Sequence, residues 1–265
     1  AEEGGGGKVL LARQGYFKKL TCAMMVHPDN RTEVFKKMLA LIEMTIEFIG
    51  RGAHAAAEPE KGINALNAAV STYQAINLFS KKLTSDARVH AIFTSGGIKP
   101  NIIPDHAALY YYVRALEMKY AQSVVGQIQK IAKREAKKIK AKVIFTQDPI
   151  SYEPFQPNYT LGNIFKKYLK ILKVKNEQRS ETKGIGSSDV GNVSSQIPTI
   201  HPSLKICEPT AFCHTKAFAK AALSKRGFQG MLQAAKAMAL TAQELFLDPV
   251  KIQKMKSEFR RQKRR

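Results

Sequence analysis

Residues 88–114, RVHAIFTSGGIKPNIIPDHAALYYYVR, carry the pattern that decides the fold of this chain. Residues 88–94 alternate in the manner of a β-strand, and the run ends at Gly96 and Gly97, where a turn is expected. Residues 107–114 have the character of a second strand. The segment therefore predicts two consecutive strands joined by a loop that contains glycine and proline.

The sequence on either side of this segment completes a recognisable order of elements. Residues 45–49 alternate as a strand, and residues 62–83 place apolar side chains near helical spacing. After the two strands, residues 118–138 predict a helix and residues 142–146 a last strand. The order strand-helix-strand-strand-helix-strand is the split βαβ pattern of a ferredoxin-like sandwich. We expect this unit to cover residues 43–147.

The rest of the chain predicts a second, discontinuous α/β domain. Strands and helices occur on both sides of the sandwich, so this domain would begin before residue 43 and finish after residue 150. Its predicted elements are a short strand at 8–11, an amphipathic helix at 161–174, a Gly/Ser/Asp loop at 184–192, strands at 197–200 and 204–206, a long helix at 227–246 and a basic helical tail.

Composition limits the class of protein. The 265 residues with 44% hydrophobic content can bury a sizeable core, and no apolar run is long enough to cross a bilayer. Three cysteines do not form a disulfide framework in a chain of this size, which favours a reducing compartment such as the cytoplasm or the mitochondrial matrix. The net charge of +22, from 43 Lys and Arg against 21 Asp and Glu, favours phosphate-rich partners.

Four polar residues suggest metal chemistry. Glu2 and Glu3 are adjacent carboxylates before a glycine run, His27 ends the apolar run CAMMVHP, and His214 lies in FCHT just before a predicted helix. Carboxylate and imidazole groups are zinc ligands, and a spare carboxylate beside the metal can act as a general base. Taken alone, the same residues are more typical of solvated surface glutamates and structural histidines.

Four stretches resemble one enzyme family. AEEGGGGK, GRGAHAAAEPEKGINALNAAV, GGIKPNIIPD and GSSDVGNVSSQIPTIHP with HTKAFAKAA follow one another along the chain. In this order they resemble the co-catalytic zinc peptidases and amidohydrolases, which include aminoacylases, glutamate carboxypeptidases and carnosine-type dipeptidases. The strings are most similar to the aminobenzoyl-glutamate hydrolase and β-alanyl-lysine dipeptidase branch. The resemblance implies a zinc-peptidase-like catalytic domain into which a ferredoxin-like lid, or dimerisation, domain is inserted.

The resemblance also assigns the metal chemistry. It implies that Glu2 is the general base, which deprotonates water and passes the proton to the leaving amine. It implies that Glu3, His27 and His214 are zinc ligands in a site for one or two ions, and manganese or cobalt would suit the same ligands. His201, in the string IHP, is expected to have a structural role.

The resemblance assigns three further roles to the lid. His54 would reach from the lid of a partner subunit toward the carbonyl oxygen as it becomes an oxyanion. Asn101 would hold the substrate near that oxygen. Arg114 would pair with a substrate carboxylate, for which the guanidinium fork is suited. These roles imply a homodimer formed through the lid.

The order of predicted elements and the resemblance together give the expected domain division. Residues 1–42 would be the first catalytic segment, 43–147 the lid, 148–250 the second catalytic segment and 251–265 a basic tail. Members of the resembled family carry a further N-terminal stretch that supplies a Cys/His or His/Asp metal pair. We therefore expect this N-terminal part to be missing, with three of the expected ligands present.

Two functional hypotheses remain open from sequence. The first is a metal-dependent amidohydrolase that cleaves a dipeptide or an N-acyl amino acid. The second is a non-catalytic derivative without metal, recruited as an RNA-contacting subunit of a ribonucleoprotein such as a mitochondrial ribosome. The basic clusters at 130–142 and 251–265 would then contact RNA.

Overall fold

A computed structural model describes residues 5–177 and 185–264 of the chain. In chain order, the helices and strands are α1 (Gly7–Arg13), β1 (Ala23–Met24), β2 (His27–Asp29), β3 (Ala40–Ile49), α2 (Ala65–Ser80), β4 (Arg88–Ser95), β5 (His106–Ala115), α3 (Met118–Lys138), β6 (Lys142–Gln147), α4 (Tyr159–Ile171), α5 (Val190–Ser194), β7 (Thr199–Ile200), β8 (Ser203–Lys205), α6 (Lys216–Ala222), α7 (Lys225–Leu247) and α8 (Pro249–Gln262). None of the helices in these ranges is long and apolar enough to cross a membrane.

The described residues group into two compact units. Leu39–Pro154 forms the inserted unit, while Gly7–Met38 and the described residues of Phe155–Arg265 form the discontinuous unit. The finer boundaries expected from sequence, at residues 42, 147 and 250, stay a prediction.

The inserted unit contains one four-stranded antiparallel sheet in the order β4-β5-β3-β6. With two helices between the strands, this is the ferredoxin-like order, so the predicted βαββαβ fold is confirmed. Helices α2 and α3 cover one face of the sheet, onto which β3 and β5 direct every second residue, because side chains alternate along a strand. The residues buried there include Ile42, Met44, Ile46, Phe48, Leu109, Tyr111 and Val113.

Strand β3 is longer than its sequence pattern predicts. The alternation of buried and half-buried residues becomes visible only from Glu43 onward, because Ala40, Leu41 and Ile42 are all buried. A run of consecutive apolar residues gives no period-two signal. The strand prediction at residues 45–49 was therefore right in type and five residues short at its start.

The discontinuous unit contains two parallel strand pairs, β1 with β7 and β2 with β8. Helices α4, α7 and α8 bury a second core around Phe165, Leu204 and Met255. The basic tail is thus an amphipathic helix, in which Met255 is fully buried. Its Glu258 carboxylate accepts hydrogen bonds from the backbone N–H groups of Tyr159 and Thr160 at the start of α4.

The strand predicted at residues 8–11 is wrong, because these residues lie in helix α1. Val9 and Ala12 are the buried residues of this helix, at a spacing of three. A run of four residues is too short for periodicity to distinguish a helix from a strand. The contact that holds the start of the helix, to Asp189, lies far away in sequence.

Candidate functional site

His27 lies on β2, where pairing with β8 fixes its backbone. Its N–H donates to the carbonyl oxygen of Pro202 at 2.9 Å, and its side-chain Nδ1 lies 2.6 Å from the carbonyl oxygen of Pro28. A carbonyl only accepts hydrogen bonds, so Nδ1 carries the proton and Nε2 keeps its lone pair. A metal-binding histidine typically donates its other ring N–H to a backbone carbonyl in this way. The exposed His27 ring therefore suits a metal ligand.

His201 is packed against His27 in the interior of the discontinuous unit. It is 2% exposed, and its ring centroid lies 5.9 Å from that of His27 at an interplanar angle of 75°. Neither ring nitrogen has a hydrogen-bond partner within the described ranges. Burial, as the largest cause, and the nearby charges of Lys36, His27 and Lys8 together lower the pKa of His201 to about 3. The ring is therefore neutral and acts as packing beside His27.

His214 lies immediately before α6 in an unusual backbone conformation. Its φ is 64°, in the left-handed region that residues other than glycine rarely adopt. The next residue, Thr215, caps the helix by accepting a hydrogen bond from the N–H of Phe218. Such strained conformations cluster at functional sites. His214 is exposed and precedes a helix, as the sequence predicted for its place in the chain, and its role as a metal ligand stays a prediction.

The start of α1 is fixed by a buried carboxylate that the sequence analysis placed only in a loop. Asp189 is 0% exposed and accepts hydrogen bonds from the backbone N–H of Lys8 at 2.9 Å and from its Nζ at 2.7 Å. This interaction joins positions 181 residues apart, so no local pattern could reveal it. The predicted base Glu2 and the predicted ligand Glu3 lie outside the described residues.

His54 and Asn101 meet on neighbouring loops of the inserted unit. The N–H of Ala55 donates to the carbonyl oxygen of Asn101 at 3.0 Å, and His54 forms an isolated β-bridge with Ile102. His54 Nδ1 accepts from the N–H groups of Ala56 and Ala57 at 3.3 and 3.2 Å. In the neutral ring the proton is then on Nε2. His54 therefore offers an exposed N–H donor, which is the group that stabilises an oxyanion.

Gly50 allows the chain to pass close to the backbone of Ile63 before it enters the loop of His54. A Cβ at Gly50, directly after β3, would lie 1.9 Å from the carbonyl oxygen of Ile63. That carbonyl accepts a hydrogen bond from Arg51 at 2.9 Å, and the N–H of Ile63 donates back to Arg51 at 2.8 Å. The close crossing of the two segments fixes the chain three residues before His54.

Arg114 lies on β5 and points to the sheet face opposite α2 and α3. Its Cζ lies 5.5 Å from the centroid of the Tyr112 ring, within the range of a cation–π contact. Its Nε is buried and has no hydrogen-bond partner among the residues that the structure describes. A guanidinium held by an aromatic ring and left without a carboxylate is suited to bind an anionic group.

The structure groups the candidate residues by unit. His27, His201 and His214 belong to the discontinuous unit, whereas His54, Asn101 and Arg114 belong to the inserted unit. Within residues 5–177 and 185–264, no group of three or more His, Cys, Asp or Glu side chains could hold a metal ion. Because Glu3 falls outside these ranges, the predicted three-ligand set stays a prediction.

The fold and these residues agree with the class of protein that comparison with known families identifies. Residues 40–140 match the family described as Peptidase dimerisation domain, of the M20 peptidases. The match covers β3, both helices of the inserted unit and the strands between them. The resemblance to zinc peptidases and amidohydrolases is therefore confirmed.

Individual relatives extend the similarity along the chain. The chain is 34% identical over 262 residues to the Xaa-Arg dipeptidase of Mus musculus, covering 98% of this chain and 61% of that protein. It is 28% identical over 316 residues to a component of the p-aminobenzoyl-glutamate hydrolase of Escherichia coli, covering 97% and 65%. The chain thus spans about 61% of the length of the first of these relatives.

Solved structures show the same fold. The aminobenzoyl-glutamate utilization protein of Klebsiella pneumoniae superposes with a TM-score of 0.65 at 15% identity, covering 87% of this chain and 56% of that one. A putative aminohydrolase of methicillin-resistant Staphylococcus aureus gives 0.67 at 15% identity, covering 91% and 64%. The predicted zinc-peptidase-like fold is confirmed. None of these relatives or neighbours supports the ribonucleoprotein alternative.

Proposed function

We propose that this chain acts as a metal-dependent amidohydrolase that cleaves a dipeptide, or an N-acyl amino acid, with a basic residue on the carboxyl side of the broken bond. The observation that carries the proposal is the similarity to a protein named Xaa-Arg dipeptidase across 98% of this chain. The basic residue is taken from that relative's name. The catalytic domain would correspond to the discontinuous unit and the lid to the inserted unit.

The metal would be held by Glu3, His27 and His214, with zinc as the first choice and manganese or cobalt as suitable replacements. The hydrogen bond from His27 Nδ1 to Pro28 supports this assignment, because it leaves Nε2 as the donor atom. When bound, the metal would supply Lewis-acid activation. Glu2 would take a proton from the attacking water and deliver it to the leaving amine.

The lid residues would bind the substrate. His54 Nε2–H would donate to the carbonyl oxygen as negative charge develops on it, and Asn101 would hold the substrate beside it. Arg114 would bind the carboxylate of the substrate. We further propose a homodimer formed through the lid, in which each active site receives its His54 from the lid of the other subunit.

The experiment that tests this function combines metal analysis with hydrolysis assays on the full-length protein. Dipeptides ending in Arg or Lys should be cleaved, with metal bound to the purified enzyme. His54→Ala should lower kcat by roughly 10²–10³-fold, the effect of losing one oxyanion donor, and leave the metal content unchanged. Gln127→Ala, at an exposed position of α3 away from β4 and from the candidate site residues, is the control. Absence of hydrolysis for every dipeptide, or an unaffected His54→Ala variant, would contradict the proposal.

A further inference from the structure

The sheet of the inserted unit has an outer face, opposite α2 and α3, that carries polar and aromatic residues. On this face Glu43 of β3 lies directly across from Tyr112 of β5, and Thr45 lies across from Tyr110. Arg114 is the next residue of β5 on the same face, because side chains alternate along a strand. These side chains are half-buried.

The Glu43 carboxylate has no positively charged partner among the described residues. Its carboxylate accepts a hydrogen bond from the hydroxyl of Tyr110. No Lys, Arg or His in the described part of the chain forms an ion pair with it, although the sequence contains 43 Lys and Arg against 21 Asp and Glu. A half-buried carboxylate gains from a positively charged partner, because desolvation penalises an uncompensated charge.

The Arg114 guanidinium, in turn, has no carboxylate partner among the described residues. Its contacts are the Tyr112 ring, 5.5 Å from Cζ, and strand neighbours, while Nε is buried without a hydrogen-bond partner among the described residues. Arginine keeps its charge at every relevant pH, so it cannot relieve this cost by losing a proton. Glu43 and Arg114 therefore do not neutralise each other, although Glu47 and Arg88 lie on the same outer face.

The spacing of Glu43 and Arg114 along the sheet is similar to the length of a single ligand. Because Glu43 lies opposite Tyr112, it is diagonal to Arg114, and diagonal neighbours in an antiparallel pair are about 7–8 Å apart. The α-carboxylate and guanidinium carbons of an extended arginine are about 7 Å apart from standard bond lengths. Tyr112 lies directly across from Glu43 and next to Arg114 on this face, and Tyr110 lies diagonal to Glu43 on the side away from Arg114. The two tyrosine rings, whose centroids are 5.4 Å apart, present aromatic surface to a bound cation.

We propose that this outer face binds the basic C-terminal residue of the substrate. Glu43 pairs with the cationic side chain of that residue, Tyr110 holds the Glu43 carboxylate in place, and Arg114 binds the α-carboxylate. The assignment deepens the proposed function and rests on it. Its new element is Glu43 as the residue that selects arginine, lysine or a similar cationic side chain over a neutral one.

Binding of free amino acids to the full-length protein tests the site without turnover. Isothermal titration calorimetry would compare L-arginine with citrulline, which is neutral and nearly the same shape, and with agmatine, which lacks the carboxylate. Arginine should bind at least roughly tenfold more tightly than either, the scale of one charged hydrogen bond. Glu43→Gln should remove the preference over citrulline, and Arg114→Met the preference over agmatine.

The matched control lies on the same strand and face. Glu47 pairs with His106 at 3.1 Å, so Glu47→Gln removes one carboxylate of β3 and should leave both preferences intact. The Gln side chain at residue 43 can still accept the hydrogen bond from Tyr110, and circular dichroism should show an unchanged fold. Equal binding of arginine and citrulline to the unmodified protein, or a preference that survives Glu43→Gln, overturns the inference.

Hydrolysis assays separate this outcome from failure of the proposed function. If dipeptides are cleaved with no preference for a basic C-terminal residue, the result supports the amidohydrolase proposal and contradicts the role proposed for Glu43. If no dipeptide is cleaved while arginine still binds selectively through Glu43, the result supports the proposed binding site and contradicts the proposed catalytic function.

Discussion

Two histidine rings of the candidate site are held in opposite tautomers by their backbone partners. His27 donates from Nδ1 to the carbonyl oxygen of Pro28, which leaves a lone pair on Nε2. His54 accepts at Nδ1 from two backbone N–H groups, which leaves a proton on Nε2. One ring is thus suited to bind a cation and the other to donate to an oxyanion. The sequence indicated both histidines, but the tautomers depend on local backbone geometry that no residue pattern encodes.

The left-handed backbone of His214 separates its effect on stability from its effect on metal binding. Asparagine tolerates a φ of 64° better than most residues, so His214→Asn should change the free energy of unfolding by no more than about 1 kcal/mol. Loss of the imidazole should reduce metal affinity if His214 is a ligand. Urea denaturation and calorimetric zinc titration measure the two quantities. Unchanged zinc affinity would remove His214 from the ligand set.

At the scale of elements, helix boundaries show where sequence patterns are sufficient. Residues 118–138 were predicted as a helix, and α3 covers the same residues because its apolar side chains keep a helical period over many turns. Helix α5, with five residues, is too short for such a pattern, and its start at Val190 was included in a predicted loop at 184–192. The error at α1 has the same cause. Long periodic elements were predictable, and elements fixed by distant contacts were not.

The C-terminus of α4 offers a test of helix capping. Lys173 has a φ of 57°, its N–H donates to the carbonyl of Lys170, and the N–H of Val174 donates to that of Leu169. This is the Schellman arrangement, in which glycine is favoured at the left-handed position. Lys173→Gly should raise the free energy of unfolding by about 0.5–1 kcal/mol. Lys175→Gly, two residues further along the loop, is the control, and an equal gain there would argue against the capping explanation.

Glu244 of α7 connects three helices and should make the stability of the discontinuous unit depend on pH. Hydrogen bonds from Lys167, Lys251 and Tyr168 lower the pKa of Glu244 to about 2, from an ordinary value of 4.5. Because the pKa is lower in the folded protein, the stabilisation is complete above about pH 4.5 and declines as the pH falls toward 2.

Replacement of this carboxylate tests that dependence. Glu244→Gln should lower the free energy of unfolding at pH 7 by about 1–3 kcal/mol, the range for a hydrogen bond to a charged group. The difference in free energy of unfolding between Glu244→Gln and the parent protein should shrink as the pH falls from 4.5 to 2. Denaturant titrations at several pH values provide the measurement. Glu208→Gln is the control, since that exposed carboxylate forms an ion pair with Arg226. A difference that stays constant with pH would show that Glu244 acts through packing.

At the scale of the whole molecule, part of the positive charge is neutralised by ion pairs within the protein. Lys138 and Arg134, in the cluster at 130–142, pair with the buried carboxylate of Glu135. Lys251 of the C-terminal helix pairs with Glu244. Net charge reports solubility and encounter with charged partners, and not fold or reaction. This is why composition alone suggested an RNA partner, whereas the order of motifs along the chain indicated the hydrolase family.

The edge strand β4 should be the site through which two lids associate. It is the first strand of the order β4-β5-β3-β6, and Ile92 and Phe93 on it are 61% and 42% exposed. An exposed apolar edge strand is a template for pairing with another chain, and natural proteins protect such edges unless they are interfaces. We therefore expect a dimer by sedimentation velocity at micromolar concentration.

Lysine at the centre of this edge should dissociate the dimer, because charged side chains on an edge strand oppose pairing. Ile92→Lys should sediment as a monomer with an unchanged circular dichroism spectrum. Ile144→Lys is the matched control: it introduces the same charge at a 38% exposed isoleucine of β6, the opposite edge of the sheet. If both variants remain dimeric, the interface lies elsewhere. If Ile144→Lys alone dissociates the dimer, β6 and not β4 joins the subunits.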